Sequence, residues 1–280
     1  MSDDAGVTTL PPRPVIGVLH PGVMGAAVGA ALKPVAGAVV WAAAGRSVAT
    51  SKRAELADLV GVPDLAELAR RADVIVSVCP PHAARGVAEQ VAAALDALGR
   101  RDRRPLYVDA NAVSPATVRG IGELLGPAHV VDGAIIGPPA WERGRTVLWL
   151  SGPAADAVAG LFARSPFTPR VLGAELGAAS ALKACFALQS KALPALWLEI
   201  AAAARGLGVE EALRDELART GTDYASALAE AGKVEPKAWR FAGEMEEAAD
   251  AIASLGLPDG FSRAAAEIYR RLARGDLDPR

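Results

Sequence analysis

The chain has 280 residues, 51% of them hydrophobic and only 5% aromatic, and its formal net charge is −2. This length allows one large or two modest domains with a real core. The near-neutral charge gives no electrostatic reason to expect nucleic acid or an anionic membrane as a partner. Two cysteines, Cys79 and Cys185, exclude a framework of several disulfides and fit a reducing compartment, so we expect a cytoplasmic protein. The three histidines lie far apart and predict no metal site.

The first residues lack the features of a targeting segment. Residues 1–14 contain acidic residues and prolines, but no basic stretch followed by an apolar one. This composition predicts a flexible tail and not a signal peptide. Outside Ala/Gly-rich helical patterns, no uncharged apolar run reaches the roughly 18 residues of a membrane span, so we expect no membrane-spanning segment.

From Val15 to about Leu172, short apolar segments alternate with helical ones. The predicted strands are Val15–Leu19, Ala38–Trp41, Val74–Val78, Leu106–Asp109, Val130–Val131 and Val147–Leu150. The predicted helices are Val23–Leu32, Lys52–Val60, Ala84–Leu98 and Pro115–Leu124. This alternation is typical of parallel βαβ units with both sheet faces covered, and it predicts an α/β domain with a Rossmann-type doubly wound sheet over residues 15–172.

Residues 173–280 predict an all-α domain, because strand patterns stop near Leu172. A long Ala/Leu-rich interdomain helix over Leu176–Ala204 opens this domain, and Pro194 should kink it. Further helices are predicted at Glu210–Arg219 and Ala238–Leu255. This helix is so apolar that we expect a small helical domain to be unable to cover it alone. The sequence therefore predicts a homodimer that forms through the helical domains.

The loop after the first strand reads Leu-His-Pro-Gly-Val-Met-Gly over Leu19–Gly25. Gly22 and Gly25 have the spacing of the last two glycines of a dinucleotide-binding fingerprint, where a helix N-terminus meets a pyrophosphate. His20 stands at the first glycine position, and Pro21 can supply the tight turn by its rigidity. Ordinary glycines of a βα turn are the alternative reading. The residues assigned to the cofactor loop are His20, Pro21, Gly22, Val23, Met24 and Gly25.

The end of the second strand indicates which nucleotide would bind. An NAD site has an acidic residue about 20 positions after the fingerprint, but no Asp or Glu occurs between Asp4 and Glu55. Arg46 can instead form two hydrogen bonds to a phosphate, and Ser47 opens the next helix beside it. The alternative is a solvated basic turn. We predict NADP, held through its 2′-phosphate.

Two further segments follow strands at the carboxyl edge of the sheet, where ligands bind in such folds. Cys79 and Pro80 are assigned as cofactor contacts, and Cys79 is expected to be a packing residue because no base accompanies it. Asn111 carries an amide that could orient a substrate carbonyl or the nicotinamide. Asp109 and Ser114, by contrast, fit roles as turn and helix caps.

The long helix contains only two charged residues between Leu176 and Leu198, namely Lys183 and Lys191. Burying an ammonium is costly unless it is paired or used. We expect Lys191 to reach the surface through its flexible stem. Lys183, aimed at the ligand edge of the sheet, is predicted to donate and accept a proton near neutral pH.

With these residues in view, the chain resembles the β-hydroxyacid dehydrogenase superfamily of 3-hydroxyisobutyrate and 6-phosphogluconate dehydrogenases. It is most similar to a bacterial branch with a short, all-helical, phosphogluconate-dehydrogenase-like C-terminal domain. The resemblance covers nearly everything from Val15 to Leu272. The segments that carry it are VMG (23–25), GRS (45–47), DANAVSP (109–115), DGAIIGPP (132–139), GAASALK (177–183) and KAWRFAGEMEE (237–247).

The resemblance implies hydride transfer between NADP(H) and the carbonyl or hydroxyl carbon of a small, acidic or phosphorylated substrate. It implies that Lys183 is the general acid/base and that Asn111 is the second catalytic residue. It also implies a substrate-binding set of residues. These are Ser114, Ile136, Gly137, Pro138, Trp239, Arg240 and Met245.

Three departures from the family pattern keep two alternatives open. Ala187 replaces an asparagine four residues after the lysine, and Pro138 and Pro139 replace glycines whose N–H groups bind a carboxylate in relatives. The loss of the carboxylate-binding positions favours an imine reductase, although such enzymes usually have Asp or Tyr in place of Lys183. The substitutions at His20, Pro138 and Ala187 also allow a non-catalytic NADP-binding protein.

Overall fold

The computed structural model describes residues 10–99 and 104–278. The chain divides into two compact units, residues 1–183 and 184–280. This division falls inside the helix Ala178–Ala187, later than the predicted boundary between residues 172 and 173. The predicted flexible tail lies outside the described residues as far as residue 9. Residues 10–14 are tied to the fold, since Leu10 packs against the core and Arg13 donates two hydrogen bonds to the carbonyl oxygen of Ala36.

The first unit is built on one eight-stranded sheet. The strands are β1 Val15–Val18, β2 Ala38–Ala42, β3 Val60–Val62, β4 Val74–Ser77, β5 Leu106–Asp109, β6 Val130–Ile136, β7 Val147–Ser151 and β8 Thr168–Gly173. Their order is β3-β2-β1-β4-β5-β6-β7-β8, and every neighbouring pair is parallel except β6 with β7. The predicted α/β Rossmann-type fold is confirmed, with one antiparallel pair that the sequence pattern did not predict.

Helices cover both faces of this sheet. They are α1 Val23–Leu32, α2 Val48–Leu56, α3 Leu65–Arg71, α4 Ala84–Ala97, α5 Pro115–Leu125, α6 Ala155–Phe162 and α7 Ala178–Ala187, which continues into the second unit. The sheet separates two hydrophobic clusters, and alternate residues of β4 point into one or the other. Val74 and Val76 join one hydrophobic cluster, with residues of α1 and α6, while Ile75 joins another, with residues of α3, α4 and α5. Burial on both faces explains why the strands are continuously apolar.

The elements that the sequence pattern missed are short or exposed. The helix predicted over Lys52–Val60 is wrong at both ends, because α2 begins at Val48 and ends at Leu56. Asp58 then adopts a positive φ of 54°, a left-handed conformation that cannot continue a helix. The edge strand β3 that follows has only three residues, the first two of them exposed, and is too short for the pattern to mark.

The described part of the second unit contains helices and turns but no strand. Its helices are α8 Leu193–Gly206, α9 Glu210–Arg219, α10 Tyr224–Gly232, α11 Ala238–Ala253 and α12 Gly260–Arg274. The long helix predicted over Leu176–Ala204 is interrupted by a π-helical turn at residues 188–192. Pro194 lies in the first turn of α8, where its missing N–H group is tolerated. Over the described ranges, no helix is both long and apolar enough to cross a membrane.

Lys191, in the π-helical turn, does not reach the surface as predicted. Its Nζ atom lies 3.0 Å from Oε2 of Glu244, and the two side chains are only 12% and 8% exposed. The ammonium also lies 5.3 Å from the ring centroid of Phe241. The expectation of an exposed Lys191 is therefore wrong, because a carboxylate from α11 offsets the cost of its burial.

Candidate active site

Three loops that carry predicted site residues follow neighbouring strands of the sheet. The His20–Gly25 loop follows β1, Cys79 lies just after β4, and Asn111 lies just after β5. These strands are adjacent and parallel, so their carboxyl ends lie at one edge. The chain runs outward from β1 to β2 and β3 and then returns to β4 on the other side of β1. This reversal places the site at a topological switch point, where ligands of such folds bind.

The first loop has the shape of a phosphate cradle. Gly22 donates its N–H to the carbonyl oxygen of His20 at 2.8 Å, and α1 begins at the next residue. A Cβ atom on Gly25 would overlap that same carbonyl oxygen, whereas a Cβ atom on Gly22 would meet nothing within 4 Å. No side chain caps α1, whose first N–H groups have no acceptor within the helix. The open loop and the positive end of the helix dipole fit a pyrophosphate.

Replacing Gly25 by alanine is expected to disrupt this cradle, because the loop must shift to relieve the overlap with His20. Strain of this kind costs about 1–3 kcal/mol of stability. NADPH affinity should also fall by at least roughly tenfold. Thermal unfolding and NADPH titration measure the two effects. Gly86→Ala is the matched control, since Gly86 lies in α4 with no atom within 4 Å of an added Cβ. A Gly25→Ala variant as stable as the control would contradict the close-approach argument.

His20 and Arg46 act on each other at the end of the loop. Burial, together with the positive charge of Arg46, lowers the pKa of His20 to about 4. Partial burial also lowers the pKa of Arg46, but a guanidinium stays charged at neutral pH. Its Nε donates to the carbonyl oxygen of Ala42 at 3.4 Å. The pair therefore presents a neutral imidazole and a single positive charge.

Two serines with predicted ligand contacts cap helices. The Ser47 hydroxyl accepts a hydrogen bond from the backbone N–H of Thr50 at 3.2 Å, at the start of α2. The buried Ser114 hydroxyl accepts from the N–H of Thr117, also at 3.2 Å, at the start of α5. Such caps are worth about 1 kcal/mol each. Both side chains thus stabilise helices that begin at the carboxyl edge of the sheet.

The side chain of Asn111 joins the ends of β4 and β5. Its Oδ1 accepts from the N–H of Cys79 at 2.6 Å. Its Nδ2 donates to Oγ of Ser77 at 3.1 Å and to Oδ2 of Asp109 at 2.9 Å. Both amide donors are thus used within the protein, and the residue is only 3% exposed. Asn111 cross-links the loop of Cys79 to β5, and donation of a hydrogen bond from its amide to a substrate would require one of the two bonds made by Nδ2 to break.

Cys79 itself has no nucleophilic character. Burial raises the pKa of its thiol to about 11, although a hydrogen bond with Ser77 acts in the opposite direction. A protonated thiol is a poor nucleophile. This agrees with the expectation that Cys79 packs against the site and does not attack a substrate.

Asp109 is a fully buried carboxyl at the end of β5. Burial raises its pKa to about 7, against the lowering effect of hydrogen bonds from Asn111. The negative charge of Asp132 adds to the increase, and the positive charge of Lys183 reduces it. Lys183 is partly buried on α7 and lies within electrostatic range of this carboxyl. The edge of the sheet therefore holds one buried carboxyl that can exchange a proton near neutral pH, within the electrostatic influence of the Lys183 charge.

Besides Ser114, the predicted substrate residues of the first unit lie at the end of β6 and in the loop after it. Ile136 ends this strand, and the exposed Gly137 and Pro138 follow it. Gly137 has a φ of 130°, and a Cβ atom there would clash with Arg145. The carbonyl oxygen of Pro138 accepts a hydrogen bond from Thr146 at 2.6 Å. Since β6 is parallel to β5, this loop emerges at the same edge as Asn111.

The other three predicted substrate residues lie on α11, in the second unit. Trp239 is exposed, and it lines a cavity of about 480 Å³ together with Glu235, Pro236, Leu272 and Ala273. Nε of Arg240 donates to Oε1 of Glu244 at 3.2 Å. Met245 is completely buried in the core of this unit. Its side chain therefore packs among the helices, and the substrate contact predicted for it would need this core to open.

Sequence comparison relates the chain to a protein family and to a curated protein. A family described as a domain of unknown function, DUF1932, matches residues 204–272, within the helical unit. A curated relative from Methanothermus fervidus, described as an uncharacterized 28.5 kDa protein, is 29% identical over 176 residues. That alignment spans 63% of this chain and 65% of the relative, which is less than two thirds of its length.

Comparison with solved structures identifies the fold. The conserved protein MTH1747, of unknown function and described as similar to 3-hydroxyacid dehydrogenases, has a TM-score of 0.67 at 27% identity, over 94% of this chain and 98% of its own. A 3-hydroxyisobutyrate dehydrogenase from Mycobacterium tuberculosis gives 0.68 at 21% identity, over 95% and 97%. An imine reductase from Myxococcus stipitatus, solved with NADP+, gives 0.53 at 19% identity, over 94% and 95%. The chain has the fold of the β-hydroxyacid dehydrogenase superfamily, as its motifs predicted.

Proposed function

We propose that this protein is an NADP(H)-dependent oxidoreductase of the β-hydroxyacid dehydrogenase type. Its substrate would be a small hydroxy or oxo compound that is acidic or phosphorylated. The observation that carries the proposal is that an open phosphate cradle, His20–Gly25, lies at the same edge of the sheet as the buried carboxyl of Asp109, whose pKa the charge of Lys183 lowers. The resemblance of the motifs to those of dehydrogenases supports it.

Two groups at the carboxyl edge of the sheet would hold the cofactor. Gly22 leaves room for the pyrophosphate at the start of α1, and Arg46 would pair with the 2′-phosphate. The absence of any Asp or Glu between Asp4 and Glu55 supports NADP over NAD. When bound, the reduced nicotinamide supplies a hydride to an electrophilic carbon of the substrate.

Lys183 would handle the proton that accompanies this transfer. In reduction, its ammonium donates a proton to the substrate oxygen as the carbonyl becomes an alcohol. In oxidation, its neutral amine removes the hydroxyl proton. The carboxyl of Asp109 would favour the ammonium form when it is ionised, while Asn111 holds the end of β5 in place.

An imine reductase is the second candidate, and the loop after β6 favours it. Pro138 and Pro139 have no N–H group to donate to a substrate carboxylate, so this loop is less suited to an acid than a glycine-rich one. A C=N bond could be reduced by the same hydride and proton donors. Lys183 counts against this function, since imine reductases usually have Asp or Tyr at this position.

A side-by-side assay would separate these functions. NADPH oxidation would be followed with a 2-oxo acid, a 3-oxo acid, a phosphorylated oxo compound and a cyclic imine, and NADPH binding would be titrated directly. Turnover of an oxo acid or phosphorylated compound supports the dehydrogenase. Turnover of the cyclic imine alone favours the imine reductase. NADPH binding without turnover across the panel would favour a non-catalytic NADP-binding protein.

We also propose that two copies of the chain associate through the helical unit. Leu193 and Leu196, three residues apart on α8, and Phe186 on α7 are exposed large apolar side chains. Burying them against a second copy would remove this surface from water. Sedimentation equilibrium should therefore give the mass of a dimer, and a monomer mass that does not change with concentration would refute the proposal.

A further inference from the structure

A second buried carboxyl, Asp132, has no part in the proton transfer described above. It lies on β6, where it is the register partner of Asp109 on β5 and of Ser151 on β7. Like Asp109, it is fully buried. A charged side chain at such a place is costly unless its oxygens are bonded. Its bonding partners therefore show what it does.

The partners of Asp132 lie at the start of α7. Its Oδ2 accepts from the backbone N–H of Ser180 at 2.8 Å, and its Oδ1 accepts from the Ser180 hydroxyl at 2.7 Å. The hydroxyl of Ser151 donates to Oδ2 at 3.2 Å and itself accepts from the N–H of Ala179 at 3.1 Å. Two N–H groups that an α-helix cannot satisfy within itself are thus bonded to the sheet. Burial raises the pKa of Asp132, and the bonds from Ser180 and Ser151 lower it.

Lys183 lies three residues after Ser180, a spacing that places both on one face of the helix. Turning α7 by a single residue would rotate this face by about 100°. The bonds of Asp132 therefore fix both the rotation and the depth of α7 at the turn that precedes the lysine. Charge-assisted bonds to backbone N–H groups suit this purpose, because they are roughly twice as strong as neutral ones.

We propose that Asp132, with Ser151 and Ser180, is a positioning unit that clamps α7 to β6 and β7 and so sets the location of the Lys183 ammonium. Asp132 is thus a positioning residue and not a catalytic one. The expected effect of the clamp on catalysis rests on the proposed function, in which Lys183 transfers a proton. The hydrogen bonds that form the clamp do not depend on that function. Loss of the clamp should leave the phosphate cradle intact, since that cradle is formed by the β1–α1 loop.

The test compares Asp132→Ala with Asp132→Asn. The alanine variant loses all three bonds, and kcat should fall by roughly 100-fold, the order expected for a misplacement of about 1 Å. The dissociation constant of NADPH should change by less than about twofold, since the cradle is not touched. Asparagine can accept from the Ser180 N–H and donate to its hydroxyl, so it should restore kcat to within about tenfold of the original. A merely structural role for Asp132 would not predict that asparagine restores kcat, nor that kcat falls while the affinity for NADPH stays the same.

Hydrogen exchange supplies a readout that needs no substrate. In Asp132→Ala the amide of Ser180 should exchange at least about tenfold faster, because its acceptor is gone. The amide of Ala179 should also exchange faster, because the Ser151 hydroxyl that accepts from it loses the carboxylate that holds it in place. Ser165→Ala is the matched control. Its hydroxyl is also buried and accepts from a backbone N–H, that of Phe167 at 3.1 Å, but it does not contact α7. If Asp132→Ala does not fold, Ser180→Ala carries the test, with a smaller loss of kcat, roughly tenfold, and unchanged NADPH affinity.

The outcomes separate the clamp from the proposed function. Faster exchange at Ala179 and Ser180, combined with full turnover after loss of Lys183, would support the clamp and refute the catalytic lysine. Unchanged exchange at both amides would overturn the clamp, whatever the activity. An Asp132→Asn variant as inactive as Asp132→Ala would overturn it as well, because the bonds would then be irrelevant to the rate.

Discussion

Lys183→Met is expected to lower kcat by roughly 10²–10⁴-fold, the usual contribution of a positioned general acid or base. Methionine keeps the length and apolar character of the stem but cannot transfer a proton. The dissociation constant of NADPH should change by less than about threefold, since Lys183 lies on α7 and the cradle lies at the start of α1. Steady-state kinetics and NADPH titration measure both quantities. Lys33→Met is the control, because its ion pair with Asp58 is at the surface, where such pairs contribute little.

The same substitution has a second expected effect that does not depend on turnover. The positive charge of Lys183 holds down the pKa of Asp109, which burial has raised to about 7 from an ordinary value of 3.8. Removing that charge should raise the pKa further. Carbon-13 NMR of the Asp109 carboxyl would follow the titration. An unchanged pKa, together with unchanged kcat, would show that Lys183 does not act at this edge of the sheet.

The direction of the Asp109 shift also predicts how stability depends on pH. The folded protein binds this proton more tightly than the unfolded chain between about pH 4 and pH 7, because the folded-state pKa is the higher one. The stabilising contribution of Asp109 to the free energy of unfolding is therefore present at the acid end of this window and is lost as the pH rises through it. In Lys183→Met the window extends to higher pH.

The sequence predicts the strand–loop–helix arrangement around His20–Gly25 well because its signal is local. Gly22 and Gly25 follow a strand and open a helix, and each requirement can be read within a few residues. The strands themselves are predicted to within a few residues, with the exception of β3, β8 and most of β6, since buried parallel strands are continuous apolar runs. The direction of β7 could not be predicted in this way, because an apolar run does not encode whether its neighbour is parallel or antiparallel.

The rest of the site depends on contacts between distant parts of the chain. Asn111 bonds to Ser77 in β4 and to Cys79 just after it, and Lys191 pairs with Glu244 on another helix. The spacing around Asn111 or Lys191 gives no indication of these partners. Asp132 is different. It is the only charged residue in the apolar strand Val130–Ile136, and a lone acid in a buried strand indicates a bonded carboxyl. That signal could have marked Asp132, although not its partner Ser180.

Arg46→Ala is expected to lower the affinity for NADPH by roughly 10–100-fold, the equivalent of a charge-assisted hydrogen bond of about 1.5–3 kcal/mol. NADH affinity should change little, because NADH lacks the 2′-phosphate that Arg46 would bind. Titration of the enzyme with each nucleotide gives the ratio directly. Arg53→Ala, a neighbouring basic residue on α2, should leave this ratio unchanged. Equal losses for NADPH and NADH would show that Arg46 supports the loop and does not select the nucleotide.

His20 provides an internal check on the same variant. The charge of Arg46 and burial together lower the pKa of His20 to about 4, so the imidazole is neutral at pH 7 and cannot replace the lost guanidinium. Removing Arg46 should raise this pKa towards, but not to, its ordinary value of 6.5, because burial is the larger cause and persists. NMR titration of the imidazole would measure the change without any nucleotide present. If the pKa of His20 rises but the ratio of NADPH to NADH affinity does not change, Arg46 lies beside the loop and does not select NADP.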